Sequence, residues 1–102
     1  MTLDEYAAFV RTLAAPDRDA DWHRAVYGLG LAGEAGEVCE LLKKQLRDGS
    51  VISPRKLCLE LGDVLFYVAA LAELHGIKLV AVARENVEKL RERYPRGFEV
   101  RT

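Results

Sequence analysis

Two pairs of carboxylates, each with its members three residues apart, are the most informative feature of the sequence. They are Glu34 with Glu37 and Glu60 with Asp63. Residues three apart on an α-helix are neighbours on one face, so each pair would point in one direction. No basic residue lies within residues 30–38 or 59–67, the two stretches that contain the pairs. Two like charges at about 4 Å repel by about 4 kcal/mol at an effective dielectric constant of 20, so this arrangement needs a compensating cation.

The structural alternative is a solvated helix face, which glutamates with this spacing often form. Here both pairs lie in glycine-rich or apolar stretches on successive predicted helices. Carboxylates on facing helices are a recurring way to build a metal site inside a bundle. Mg²⁺ prefers oxygen ligands and retains several waters. The sequence therefore predicts a Mg²⁺ site, with Mn²⁺ as a substitute, formed by Glu34, Glu37, Glu60 and Asp63.

Signals for helix starts and ends divide the chain into four predicted helices. Thr2 and Glu5 form a capping-box pattern, and Ser53 with the following proline is typical of a helix start. Glycines at positions 49 and 76 favour helix ends. The predicted ranges are about 2–14, 20–47, 54–75 and 79–94, and no persistent alternation of period two predicts a strand.

The third predicted helix is apolar on nearly every side. A core stripe is predicted at Leu57, Leu61, Val64, Leu65, Val68, Leu71, Ala72 and His75. Further apolar residues, including Phe66, lie off this stripe. A helix that is apolar all round must be buried all round, and a chain of 102 residues has few other helices to cover it. We therefore expect a dimer or a larger assembly.

Composition restricts the class of protein. The 102 residues suit one domain, residues 1–102, and the net charge of −1 gives no electrostatic reason to expect nucleic acid or an anionic membrane as a partner. Asp4 and Glu5 near the N-terminus differ from the basic start of a secretion signal. Cys39 and Cys58 lack a CxxC spacing, which favours free, buried thiols in a reducing compartment. We expect a cytoplasmic protein.

The second predicted helix carries further candidates on the face of the first carboxylate pair. His23 and Tyr27 lie upstream of Glu34 on that face, and Lys44 lies seven residues after Glu37. The rings are candidate nucleotide contacts, although rings on a buried face more often fill a core. Glycines at 28, 30, 33 and 36 each cost about 1 kcal/mol relative to alanine. We expect the close approach of a ligand or a helix to explain them.

The fourth predicted helix carries Asn86, Lys89 and Arg93 on one stripe. An amide, an ammonium and a guanidinium on one face suit a polyphosphate. The alternative is a solvated face, because acidic residues that alternate with these bases can pair with them. Those acids are Glu85, Glu88 and Glu92.

The carboxylate motifs resemble the signature of the all-α nucleoside triphosphate pyrophosphohydrolases. Glu34-x-x-Glu37 is followed, after 22 intervening residues, by Glu60-x-x-Asp63. The flanking residues are most similar to the MazG-like branch, as is the run from position 86 to position 93. The resemblance covers about Tyr27 to Phe98.

The resemblance implies an all-α, four-helix MazG-like bundle completed by oligomerisation as a homodimer or homotetramer. It implies a Mg²⁺-dependent hydrolase that converts a (deoxy)nucleoside triphosphate to the monophosphate and pyrophosphate, in nucleotide-pool house-cleaning. The four carboxylates would hold the metal and provide a general base, and Asn86 and Lys89 fall on the family's substrate motif.

Three alternatives stay open. Phosphoribosyl-ATP pyrophosphohydrolases are related, but they tend to carry adjacent glutamates in the first motif and a histidine four residues after the aspartate. Here Gly36 precedes Glu37, and the later position is Tyr67. A dUTP or dCTP pyrophosphatase would use the same chemistry. A non-catalytic helical interaction module, with a structural cation on its carboxylates, is an alternative of another class.

Overall fold

A computed structural model describes residues 1–97, and these contain four α-helices and no strand. The helices are α1 (Leu3–Arg11), α2 (Ala20–Asp48), α3 (Pro54–Leu74) and α4 (Leu79–Arg93). The prediction of an all-α chain with four helices is confirmed. Phe98, where the predicted family resemblance ends, lies outside the described residues.

Local chemistry explains where the helices begin and end. Thr2 and Glu5 form the predicted capping box on α1, and Ser53 caps α3 by accepting from the Lys56 N–H. Asp19, which the sequence analysis did not single out, caps α2. Gly49 terminates α2 with φ of 69°, a left-handed conformation that glycine adopts without strain.

The predicted end of α1 at Ala14 is wrong, because the helix ends at Arg11. Beyond it, the N–H groups of Leu13 and Ala14 donate to carbonyls three residues earlier. Such tighter turns are common at helix ends. The backbone N–H groups of Leu13 and Ala14 are hydrogen-bonded in this turn, as they would be in a longer helix. The ends of α2, α3 and α4 each differ from the prediction by one residue.

The long helices α2 and α3 form an antiparallel hairpin, and α1 packs on α3 and α4 at one end of it. The core lies at that end. Its buried residues are Ala7, Val10, Tyr27, Ala69, Ala70 and Leu79. Among residues 1–97, α4 packs on α1 and α3 but not on α2. The other end of the hairpin therefore extends beyond the core, consistent with a longest molecular dimension of 48 Å.

The predicted core stripe of α3 is partly wrong. Leu61 is 50% exposed and Leu65 is 40% exposed, and His75 is exposed as well. The most deeply buried positions are Ala69 and Ala70, which lie off the predicted stripe, and they are followed by Ala72, whose predicted burial is confirmed. Small side chains are buried here because α1 and α2 both pack against this part of α3. The larger side chains of Leu61 and Leu65 lie instead on the exposed side of α3, which we call the open side of the hairpin.

The connection between α3 and α4 is a sharp turn. Gly76 has φ of 68°, and the Ile77 N–H donates to the Ala72 carbonyl at 2.8 Å. At the start of α4, the Val80 N–H donates to the Asp4 carboxylate of α1 at 3.4 Å. No single helix in the described part of the chain has the length and hydropathy to span a membrane, and only α3 and α4 together, bent by 106°, meet those criteria.

Candidate active site

The position of the carboxylates follows from one contact between α2 and α3. The ring of Tyr67 packs directly on the backbone of Gly30, where a Cβ atom would overlap it. Because the helices are antiparallel, one turn onward on α2 and one turn back on α3 bring Glu34 opposite Asp63. The expectation of a close approach at the glycines is confirmed at Gly30, where the approaching group is this ring.

Glu34, Glu60 and Asp63 lie close enough together to hold a metal ion, and we call them the carboxylate group. One oxygen from each lies within 4.8 Å of the others. Two oxygens on opposite sides of a Mg²⁺ ion are about 4.2 Å apart, since each Mg–O distance is about 2.1 Å. Glu34 and Glu60 are half-buried and Asp63 is exposed. The donor set therefore fits one hard divalent cation that also keeps several waters.

Glu37 lies outside this group, and its side chain is exposed. Its charge still reaches the site electrostatically. The pKa of Glu34 is raised above its ordinary value, first by desolvation and then by the negative charges of Asp63, Glu60 and Glu37. No ion pair within residues 1–97 neutralises these four carboxylates. The site consequently favours a cation.

Tyr6 of α1 is a residue near the site that the sequence analysis missed. It is half-buried against the core, and its pKa is raised, first by burial and then by the charge of Asp63. The phenol therefore lies within electrostatic range of the carboxylate group. No spacing rule identifies Tyr6, because its position depends on how α1 packs on α3.

His23 and Tyr27 are buried one turn apart on α2. The Ala15 N–H donates to His23 Nε2 at 3.0 Å, and Nδ1 lies 2.8 Å from the Asp19 carbonyl oxygen, which can only accept. The ring is therefore neutral with its proton on Nδ1, and both nitrogens hold the α1–α2 connection. The predicted role of both rings in nucleotide binding stays a prediction.

A cleft of about 340 Å³ lies beside these two rings. One wall comes from α1 and the α1–α2 connection, including Arg11 and Arg18, and the other from α2 and α3. Arg11 pairs with Glu73 across its edge, at 3.1 Å, and the Arg18 guanidinium lies 5.2 Å from the centre of the Trp22 ring. No pattern in the sequence identifies these residues as neighbours, because only the tertiary fold brings them together.

No ion pair within residues 1–97 joins the predicted phosphate ligands to the carboxylates. Asn86, Lys89 and Arg93 are exposed on α4, which does not pack on α2 in residues 1–97. Lys44 is exposed near the far end of α2. Their role in phosphate binding stays a prediction.

Two other features differ from expectation. Cys39 and Cys58 are free thiols but exposed, not buried. Gly28, Gly33 and Gly36 have nothing within 4 Å of the position that a Cβ atom would take, so no group of the described residues explains them.

Residues 24–98 match the family model of the MazG nucleotide pyrophosphohydrolase domain. The chain belongs to this family. A relative, the Gene 37 protein of Mycobacterium phage L5, is 42% identical over 73 residues, and the match covers 68% of this chain and 64% of the relative. The chain thus spans less than two thirds of the length of that relative. No solved structure matches the chain significantly.

The MazG match divides the site into two parts. All four predicted metal ligands lie within residues 24–98, as do Tyr27 and the three candidates on α4. Tyr6, Arg11, Arg18 and His23 lie before the match. The carboxylate group therefore belongs to the MazG domain, whereas one wall of the cleft is built by a segment outside it.

Proposed function

We propose that this protein is a Mg²⁺-dependent nucleoside triphosphate pyrophosphohydrolase that removes surplus or non-standard nucleotides. The observation that carries the proposal is the carboxylate group, in which α2 and α3 bring three acidic oxygens within 4.8 Å of one another. The match of residues 24–98 to the MazG nucleotide pyrophosphohydrolase domain supports the same chemistry.

Glu34, Glu60 and Asp63 would hold the metal ion, with Mn²⁺ as a substitute. A divalent cation there would polarise the α-phosphoryl group and acidify a bound water. Glu37 is the carboxylate least committed to this group, because it is exposed and outside the 4.8 Å cluster. We therefore assign it as the base that accepts the proton of the attacking water. Attack at the α-phosphorus would release pyrophosphate and the monophosphate.

The nucleoside end of the substrate is assigned to the cleft beside Tyr27. This residue is seven positions before Glu34, which corresponds to about 10 Å along the helix axis. Because both nitrogens of His23 are already hydrogen-bonded, His23 would contact a base through the ring and not through a nitrogen. The pyrophosphate end would be bound by Asn86, Lys89 and Arg93, with Lys44 as a further cation.

The protein is further proposed to act as a homodimer or homotetramer. Leu61 and Leu65 are exposed on the open side of α3, and Leu29 on α2 is 75% exposed. Burial of such apolar surface contributes about 25 cal/mol per Å² and therefore favours association. A second copy of the hairpin would cover these residues.

The test is product analysis across all common and modified nucleoside triphosphates, with Mg²⁺ and with EDTA. We expect monophosphate and pyrophosphate with Mg²⁺, and no turnover in EDTA. Asp63→Asn and Glu60→Gln should abolish both turnover and Mg²⁺ binding in calorimetry. Glu37→Gln should abolish turnover but retain more of the Mg²⁺ affinity than Glu60→Gln.

Other results would change the assignment. Diphosphate and orthophosphate as products would refute attack at the α-phosphorus. Mg²⁺ binding without turnover of any nucleotide would favour a non-catalytic interaction module. A strong preference for phosphoribosyl-ATP, dUTP or dCTP would keep the chemistry and replace the house-cleaning role.

A further inference from the structure

The far end of the α2–α3 hairpin is strongly basic and almost entirely exposed. We define the hairpin tip as residues 42–56, in which every residue except Ile52 is exposed. It contains five basic residues and one acidic residue, a net charge of +4. Two of the cations are paired, since Lys43 pairs with Glu40 and Arg47 with Asp48. The other three, Lys44, Arg55 and Lys56, form no ion pair with any of residues 1–97.

The middle of the same hairpin has the opposite charge. Four carboxylates, the carboxylate group and Glu37, lie there without a cationic partner in the described residues. Lys56 is one turn before Glu60 on α3, yet the two form no ion pair. Lys44 is seven residues beyond Glu37, about 10 Å along α2. Each hairpin therefore presents an unpaired negative region and an unpaired positive region, one beyond the other along its length.

This pattern is self-complementary. Two hairpins side by side and antiparallel about a twofold axis would place the tip of each against the carboxylates of the other, since every contact in such an interface occurs twice. Exposed leucines lie between and beside the two charged regions, and the same arrangement would cover those on the side of the second copy. Leu42 is 49% exposed, Leu59 is 56% exposed and Leu61 is 50% exposed. The hairpin thus fits a second copy of this chain in charge, and its exposed leucines offer that copy apolar surface.

A nucleic acid is a poorer match for the tip. A polyanion that approached Lys44 would also meet the unpaired carboxylates about 10 Å away along the helix, a separation comparable with the Debye length at physiological salt. A second hairpin avoids this repulsion because it carries both signs of charge.

We propose that the hairpin tip of a second copy completes each active site, with Lys44 and Arg55 of that copy binding the phosphates of the substrate. The choice of phosphate as the ligand of the tip rests on the proposed function, whereas the interface between two copies does not. A triphosphate and a divalent cation bring a net negative charge to the site, and the tip supplies cations, whereas no cation of the described residues is paired with the carboxylate group or Glu37 of its own chain. Arg55 suits this role because its guanidinium can donate two parallel hydrogen bonds to one phosphate.

The first test mixes subunits with different defects. Asp63→Asn removes a metal ligand, and the double variant Lys44→Ala/Arg55→Ala removes the tip cations, so each should be at least 10²-fold less active as a homo-oligomer. Mixed dimers, purified through two different tags, should recover about half of wild-type activity, because one of their two sites then has every group intact. If the tip acts on the site of its own chain, both sites of the mixed dimer are defective. No recovery would therefore overturn the proposal.

The second test needs no catalysis. Lys44→Glu/Arg55→Glu and Glu60→Lys/Asp63→Lys should each assemble more weakly than wild type in sedimentation, while an equimolar mixture of the two should form mixed dimers because the reversed charges match. Lys78→Glu/Arg84→Glu makes the same change of net charge as Lys44→Glu/Arg55→Glu, but at positions outside the hairpin. This control should assemble like wild type. All variants should retain wild-type helicity by circular dichroism.

The outcomes separate this inference from the proposed function. If the two charge-reversed variants form mixed dimers but the wild-type protein turns over no nucleotide, the interface is supported and the enzymatic role is refuted. Wild-type assembly of both charge-reversed variants would overturn the interface while leaving hydrolysis untouched. Tight binding of a nucleic acid oligomer that is lost only in Lys44→Glu/Arg55→Glu would also overturn the inference.

Discussion

Gly30 and Tyr67 are in direct contact across the α2–α3 hairpin, with the ring of one against the backbone of the other. Tyr67 is itself held by Phe66, whose ring centre is 4.9 Å away, and by Tyr27 at 6.3 Å. The contact is one helical turn from both Glu34 and Asp63. The spacing of the carboxylates is therefore fixed by an apolar contact that contains no metal ligand.

Gly30→Ala should destabilise the protein and impair Mg²⁺ binding. The added methyl group would overlap the Tyr67 ring and force the two helices apart, at a cost of about 1–3 kcal/mol. Gly28→Ala is the matched control, because nothing lies within 4 Å of its Cβ position. It should be neutral or more stable by up to about 1 kcal/mol. Urea unfolding in EDTA and Mg²⁺ calorimetry measure the two effects, and equal stability of both variants would contradict the proposed spacing role.

Glu34 should make the metal-free protein less stable as the pH rises. Its pKa in the folded state is raised above the ordinary value of 4.5, chiefly by desolvation. Its stabilising contribution is therefore complete below the pKa of the unfolded chain and is lost as the pH rises through the folded-state pKa. In EDTA, Glu34→Gln should gain stability relative to wild type over that rise, as measured by urea unfolding at a series of pH values.

Glu40 provides a control of opposite sign for this experiment. Its pKa is lowered, first by the hydrogen bond from Lys43 and then by the charge of Lys43. The contribution of Glu40 is present above the pKa of the unfolded chain and is lost as the pH falls through the folded-state pKa. Glu40→Gln should therefore lose stability relative to wild type as the pH rises. The same trend in both variants would show that the local charges do not determine the response.

Lys89→Ala and Arg93→Ala should each lower kcat/KM by about 10²-fold. The lost contact would be to charge that develops on the departing pyrophosphate, which corresponds to about 2.7 kcal/mol. Arg84→Ala, on the opposite side of α4, should retain wild-type kinetics. Near wild-type kinetics in both test variants, with inactive carboxylate variants, would leave the metal site in place and remove α4 from the phosphate site.

Thermal stability should depend on protein concentration, because dissociation would expose the open face of α3. Leu65→Lys should weaken association, since it places a charge on that face. Leu3→Lys is matched in exposure, as both leucines are 40% exposed, but Leu3 lies on α1. Sedimentation should show dissociation only for the Leu65 variant. A stable wild-type monomer at micromolar concentration would refute the assembly.

The features that sequence predicted well are local ones. The three-residue spacing of Glu34 with Glu37 and the caps at Thr2 and Ser53 depend on hydrogen bonds and geometry within a single turn of helix, so a pattern in the chain determines them. The family resemblance was confirmed because its motifs combine several such local patterns in a fixed order.

The features that sequence did not predict depend on how helices pack. Periodicity assigned Leu61 and Leu65 to the core of one chain, but α1 and α2 cover Ala69 and Ala70 instead. Tyr6 lies in a helix whose own sequence contains no sign that its phenol lies within electrostatic range of Asp63. The separation of Glu37 from the carboxylate group also depends on the register of two helices, which a spacing within one helix does not set.

The two exposed cysteines provide an experimental advantage. Cys39 lies five residues after Glu34 on α2, and Cys58 lies two residues before Glu60 on α3, so both thiols are in the half of the hairpin that extends beyond the core. Nitroxide or fluorescent probes can be attached there without any change to the amino-acid sequence. Pulsed magnetic resonance would then measure the distances between labels within a hairpin and, in the proposed dimer, between hairpins, and would follow the region of the carboxylate group as nucleotide and metal are added.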